Sequence, residues 1–159
     1  TPSTDIIVFD VATRSTASWL ATAANEEHGR FSPDGRHVAY TSDASGEDEV
    51  YVRDFSGDAA AISLGKGMHP TWRRDGRELF FLGPNDEMMA VEMTVAGQPA
   101  AAPKQLFRIP LNDITRVFES PYDVAPDGQR FLLNVPETPT PLLYIRGLQQ
   151  WLDRRQEPR

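Results

Sequence analysis

Three Asp-Gly dipeptides, each set in the same frame of apolar and polar residues, constrain this 159-residue chain more than any other feature. The segments are FSPDGRHVAYTSD from Phe31, HPTWRRDGRELFFLGPND from His69 and SPYDVAPDGQRFLLNVPE from Ser120. They align on Asp34-Gly35, Asp75-Gly76 and Asp127-Gly128. An apolar residue stands four before each glycine (Phe31, Trp72, Val124), and a polar pair follows it. Behind the pair comes a hydrophobic triplet: Val38-Ala39-Tyr40, Leu79-Phe80-Phe81 and Phe131-Leu132-Leu133. In the first copy Pro33 presets φ for the second position of a type I turn, and Asp34 tolerates the third and can bond back to the backbone. Gly35 accepts the positive φ that returns the chain into the next strand. Each copy therefore reads as a β-hairpin whose loop ends in a left-handed glycine.

Gly35 and Gly76 are 41 residues apart, and Gly76 and Gly128 are 52 apart. A period of about 40–45 residues is the length of a four-stranded propeller blade. An insertion near residues 97–110, rich in Ala, Pro and Gln, accounts for the longer second interval. With strands named a to d outward from the propeller axis, residues 1–25 read as strands c and d of a leading blade. Residues 26–65 read as a whole blade (a 28–32, b 37–42, c 49–54, d 60–64). Residues 66–118 read as a second, carrying the insertion (a 69–73, b 78–82, c 88–94, d 105–108). Residues 119–147 form a trailing half blade (a 122–125, b 130–134, with c at 142–146), and residues 148–159 a terminal helix and tail. The fold class expected is all-β: a partial β-propeller of about three four-stranded blades with a short C-terminal helix.

The first copy, continued as FSPDGRHVAYTSDASGEDEVYVRDFSG, resembles the TolB-like propeller repeat, a WD40-related unit in which Pro-Asp-Gly marks the turn between the first two strands. The second copy departs from it where Arg73-Arg74 replace Ser-Pro. The third, YDVAPDGQRFLL, is similar to the last blade of propellers attached to bacterial serine/threonine kinases and related sensors. The resemblance implies a periplasmic or extracytoplasmic setting and rings of six blades. It implies little about function, because propellers host many unrelated activities.

Composition narrows the classes. The chain is 40% hydrophobic and 25% charged, as in an ordinary globular domain. No apolar run approaches the ~18 residues of a membrane span, so no membrane insertion is expected in this segment. It opens on Thr1 rather than Met, pointing to a start inside a longer precursor, and shows no signal-peptide pattern. The absence of cysteine excludes disulfides and thiolate chemistry. A net charge of −7 argues against nucleic acid as a partner. The acidic run Glu47-Asp48-Glu49 reads as a solvated hairpin tip, because it lacks the ordered carboxylates of a calcium loop. No G-x-S-x-G, H-E-x-x-H, P-loop or G-x-G-x-x-G motif occurs, so no cofactor is expected.

The chemistry-bearing candidates are histidines. His28 and His69 hold the same register, each seven residues before its glycine, at the start of strand a beside the axial channel. With Glu26, Glu27 and Glu119 in nearby register, the pair could ligate a metal or hold an anion. A metal site needs three or four converging ligands, so no metal is assigned, and a half-exposed polar channel mouth is the preferred reading. His28, His69, Glu27 and Glu119 are its candidate ligand-binding residues. His37 is expected to be exposed on strand b, and Trp19, Trp72 and Trp151 to serve in packing. The function expected is a non-catalytic propeller module for protein–protein interaction or ligand sensing, part of a larger protein. Its rivals are a propeller-class hydrolase or lyase using channel-mouth histidines and carboxylates, and a structural C-terminal part of a sensor kinase ectodomain. An arc of three blades cannot close alone. The complementary c–d and a–b ends point either to a homodimer completing a six-bladed ring or to missing blades on the same precursor.

Overall fold

The computed structural model describes residues 3–109 and 121–134. The expected strand at 142–146, the terminal helix, Trp151 and Glu119 lie outside the described residues. An antiparallel hairpin, β1 (Ile6–Asp10) and β2 (Ser15–Leu20), leads. A four-stranded meander follows: β3 (Glu26–Phe31), β4 (His37–Ser42), β5 (Glu49–Asp54) and β6 (Ile62–Lys66), paired in that order. A second meander repeats it with β7 (Met68–Trp72), β8 (Glu78–Gly83), β9 (Glu87–Glu92) and β10 (Lys104–Arg108). A single 3-10 turn at Pro84–Asp86 joins β8 to β9. The hairpin β11 (Tyr122–Val124) and β12 (Phe131–Leu133) completes the described set.

The three Asp-Gly turns are built from the same bonds. The glycine N–H donates to the carbonyl three residues back: Gly35 to Ser32, Gly76 to Arg73 and Gly128 to Ala125. The strand closes beside each turn through Ser32 N–H to His37, Arg73 N–H to Glu78 and Ala125 N–H to Arg130. Each aspartate carboxylate then accepts the N–H two residues on, from Arg36, Arg77 and Gln129, at 2.9–3.1 Å. The three glycines have φ of 71°, 73° and 67°. Where the second copy departs from the pattern, the longer side chain takes over the lost contacts. The Ser32 hydroxyl bonds Asp34 and receives the His37 N–H. In its place the Arg73 guanidinium reaches Asp75 at 3.3 Å and Glu78 at 2.8 Å.

The second strand of each meander is buried along its whole length, because both of its faces meet a neighbouring sheet. Alternation then sorts one strand into two cores. Leu79 and Phe81 join Ala39, Val50, Val52 and Leu64 of the first meander. Phe80 and Leu82 face the other way, into a cluster with Phe107, Ile109 and Tyr122, against which Phe131 and Leu133 pack. Trp19 lies in the seam between the leading hairpin and the first meander, edge-on to Tyr40 and donating its indole N–H to the Phe55 carbonyl. Trp72 likewise donates across a seam, to the Arg30 carbonyl. Both tryptophans serve in packing.

His37 corrects an expectation: it is 8% exposed. The turn that begins at Thr94 lies over it, so close that a Cβ on Gly97 would come within 2.3 Å of the His37 ring. A residue that follows a turn in sequence is here covered by the next sheet.

Candidate functional site

The first strands of the two meanders, β3 and β7, approach each other, and both are interrupted at the same place. The β3–β4 register shifts between Glu27 and Arg30, and the β7–β8 register between Met68 and Thr71. Each interruption is a β-bulge, and a bulge re-aims the side chain it carries. The residues at these points are His28 and His69, with left-handed φ of 55° and 57°. Their imidazole centroids stand 3.8 Å apart with the rings tilted by 48°. The structure thus brings together the two histidines that the sequence places in equivalent register.

Thr41 of β4 ties the pair together. Its hydroxyl lies 3.2 Å from His28 Nδ1 and accepts the backbone N–H of His69 at 3.3 Å. From β11, the Tyr122 hydroxyl donates to the His69 carbonyl at 2.7 Å. Burial pushes the Tyr122 pKa far up, so it stays neutral. His28 is half-buried and His69 buried. Burial lowers the His28 pKa below its ordinary 6.5, with the charge of Arg30 as a second cause.

The carboxylates are arranged otherwise. Glu26 is buried, and its carboxylate receives the Thr22 hydroxyl at 2.5 Å and the Thr22 N–H at 3.4 Å. It is a bracket for the incoming chain rather than a group aimed at the histidines. Glu27 is exposed on β3, and no hydrogen bond or ion pair joins it to the imidazoles among the described residues. No group of three His, Cys, Asp or Glu converges on one point among the described residues. The acidic tip is held internally: Glu47 pairs with Lys66, and Glu49 accepts from the Ser45 and Ser63 hydroxyls.

Two surface grooves at the Asp-Gly-turn end were not foreseen from sequence. One of about 380 Å³ lies between Arg36, His37, Phe55 and Val95. The other, of about 600 Å³, lies between Arg73, Arg77, Glu92 and Val95. Both are flanked by the loop carrying Val95, just before the inserted segment, and the first lies where that loop packs on the preceding sheet.

Sheets that follow one another in sequence, each a meander, with their first strands meeting and their faces packed, define a β-propeller. Comparison with solved structures specifies the type. A crystal structure of TolB from Acinetobacter baumannii matches with a TM-score of 0.54 at 20% identity, over 80% of this chain and 31% of that one. A structure described as TolB from Agrobacterium tumefaciens matches with a TM-score of 0.52 at 17% identity, over 65% of this chain and 40% of that one. An oligogalacturonate lyase from Vibrio parahaemolyticus is similar at a TM-score of 0.48 and 16% identity, over 69% of this chain and 30% of that one. No protein-family model and no curated protein matches the chain. The fold is a partial TolB-like β-propeller, and the chain spans less than half the length of either TolB structure.

Proposed function

We propose that this chain is a non-catalytic propeller module for protein–protein interaction or ligand sensing, within a larger protein, and that its binding end is the mouth formed around His28 and His69. The observation that carries this reading is the matched backbone strain. Left-handed φ in a residue other than glycine costs of order 1–3 kcal/mol and persists where the surroundings over-determine it, often at binding sites. Here it occurs twice, at equivalent positions, and on the same residue type. The mouth offers the half-buried ring edge of His28 on a rigid support of strands. The His28 Nδ1 is engaged by Thr41, a neutral hydroxyl that is itself committed to His69, so the arrangement suits recognition better than proton abstraction.

The test is a thermal-shift screen at pH 7.5 of peptide and small-molecule panels against the wild type and His28→Asn, a substitution that tolerates the left-handed backbone. Compounds that stabilise the wild type and lose that effect in the variant are the expected result. Turnover of ester, peptide or glycan substrates that disappears in His28→Asn and His69→Asn would replace this reading with an enzymatic one.

A further inference from the structure

We infer that the His28–His69 contact is a proton-sensitive joint between two sheets of the propeller, closed while the His28 imidazole is neutral and loosened when it takes a proton. The inference concerns regulation of the mouth proposed above. It rests on the placement of the pair, and it does not require the mouth to bind anything.

The geometry makes the joint depend on charge. His28 belongs to β3 and His69 to β7, so their 3.8 Å ring contact bridges adjacent sheets. Thr41, 2% exposed, comes from β4 and reaches both strands with one hydroxyl. A hydroxyl has one proton to give and two lone pairs. One lone pair takes the His69 N–H. The proton is free for His28 Nδ1 only while that nitrogen carries a lone pair, which requires the neutral, Nε2-protonated ring. Protonation turns Nδ1 into a donor. The hydroxyl must then turn its own proton away and accept from Nδ1 on its one remaining lone pair, and a cation stands in ring contact with a second imidazole.

Among the described residues, the groups whose contacts near the pair are known do little to offset that charge. On β3 itself, Arg30 adds a like charge, Glu27 is exposed without a bond to the pair, and the Glu26 carboxylate is engaged by Thr22. From β4 comes the neutral Thr41, and from β11 the neutral Tyr122. From β1, the Ile6 side chain covers the adjoining Gly29. Burial of the ring acts in the same direction as Arg30. The sign follows. Below about pH 6.5 the unfolded chain binds a proton that the folded seam resists. Stability is therefore full above that pH and is lost as pH falls toward the lowered folded value. The window lies above the range in which exposed carboxylates titrate, which separates this effect from general acid unfolding.

The experiment uses the chain without any ligand. Thermal midpoints are measured at pH 7.5 and 5.5 for the wild type, His28→Asn and Thr41→Val, alongside the imidazole proton resonances of the three histidines between pH 4.5 and 8. The wild-type midpoint is expected to fall by about 3–6 °C between the two pH values, with most of that fall abolished in His28→Asn. His28 is expected to titrate below 6.5. An equal fall in wild type and His28→Asn, a flat wild-type profile, or a His28 resonance titrating at or above 6.5 would each overturn the joint. The resonance measurement needs only the wild type, so it decides even if a variant does not fold. A ligand screen that finds nothing leaves these readouts unaffected.

Discussion

At the scale of single residues, the three Asp-Gly turns share their hydrogen bonds and differ in what surrounds the glycine. Around Gly35, with φ of 71°, an added Cβ would meet nothing within 4 Å. Gly35→Ala therefore isolates the left-handed backbone cost, about 1–2 kcal/mol. At Gly128 the same atom would come within 3.0 Å of Arg73 Cδ and 3.5 Å of Phe80 Cζ. Gly128→Ala is expected to cost more, about 2–3 kcal/mol, because the neighbouring sheet must also shift. Chemical denaturation of the two variants measures the difference; equal costs would show that the turn at Gly128 does not bear on its neighbour. These turns were legible in sequence because all their determinants lie within six residues. The backbone of His28 and His69 was not. Their shared register was visible, but nothing local favours a left-handed histidine, and the bulges that place both rings in one seam are selected by the meeting of β3 and β7. His37 was misjudged for the same reason, since the residue that covers it, Gly97, lies 60 positions further on.

At the scale of elements, β8 is the strand on which two seams depend. Its sequence ELFFLG carries no alternation of polar and apolar residues, as suits a strand buried on both faces. Phe81 serves the seam with the first meander. Phe80 serves the seam with β11–β12, where it meets Phe131 edge to face at 5.2 Å. Truncation of either phenylalanine to alanine is expected to cost about 3–5 kcal/mol. The two are separable by amide hydrogen exchange: Phe80→Ala should raise exchange chiefly in β11 and β12, Phe81→Ala chiefly in β5 and β6. Uniform loss of protection in both variants would show that the seams unfold as one unit. The hydrophobic triplets were readable as strands because each copy repeats them. Their burial was readable only in part. In the third triplet Leu132 is 74% exposed, whereas its counterparts Ala39 and Phe80 are fully buried, since the outer face of β12 meets no further sheet among the described residues.

At the scale of the whole molecule, the described arc leaves apolar surface open at both ends. On β1, Ile7 and Phe9 are 62% and 57% exposed, while Ile6 turns toward Gly29 of the next sheet. On β12, Leu132 is open while Phe131 and Leu133 pack inward. β1 and β12 each pair with one neighbour among the described residues, and edges of this kind favour pairing with another strand. The two hairpins complement each other. With β12 set beside β1, four strands would form a sheet in the order of the two complete meanders, with Ile7 and Phe9 on the side of Phe131. A second copy of the chain can supply that strand, as can further sequence of a longer protein, and the two sources differ in solution behaviour. Closure by a second copy predicts a dimer of twice 17.7 kDa whose dissociation depends on concentration. A lysine at Phe9, which places a charge in the shared face, should shift it to monomer without unfolding the meanders. Sedimentation equilibrium of the wild type and Phe9→Lys measures both. A folded wild-type monomer at all concentrations would eliminate the two-chain ring and leave the missing strands to a longer chain, in keeping with the 31% of the Acinetobacter TolB structure that this chain covers.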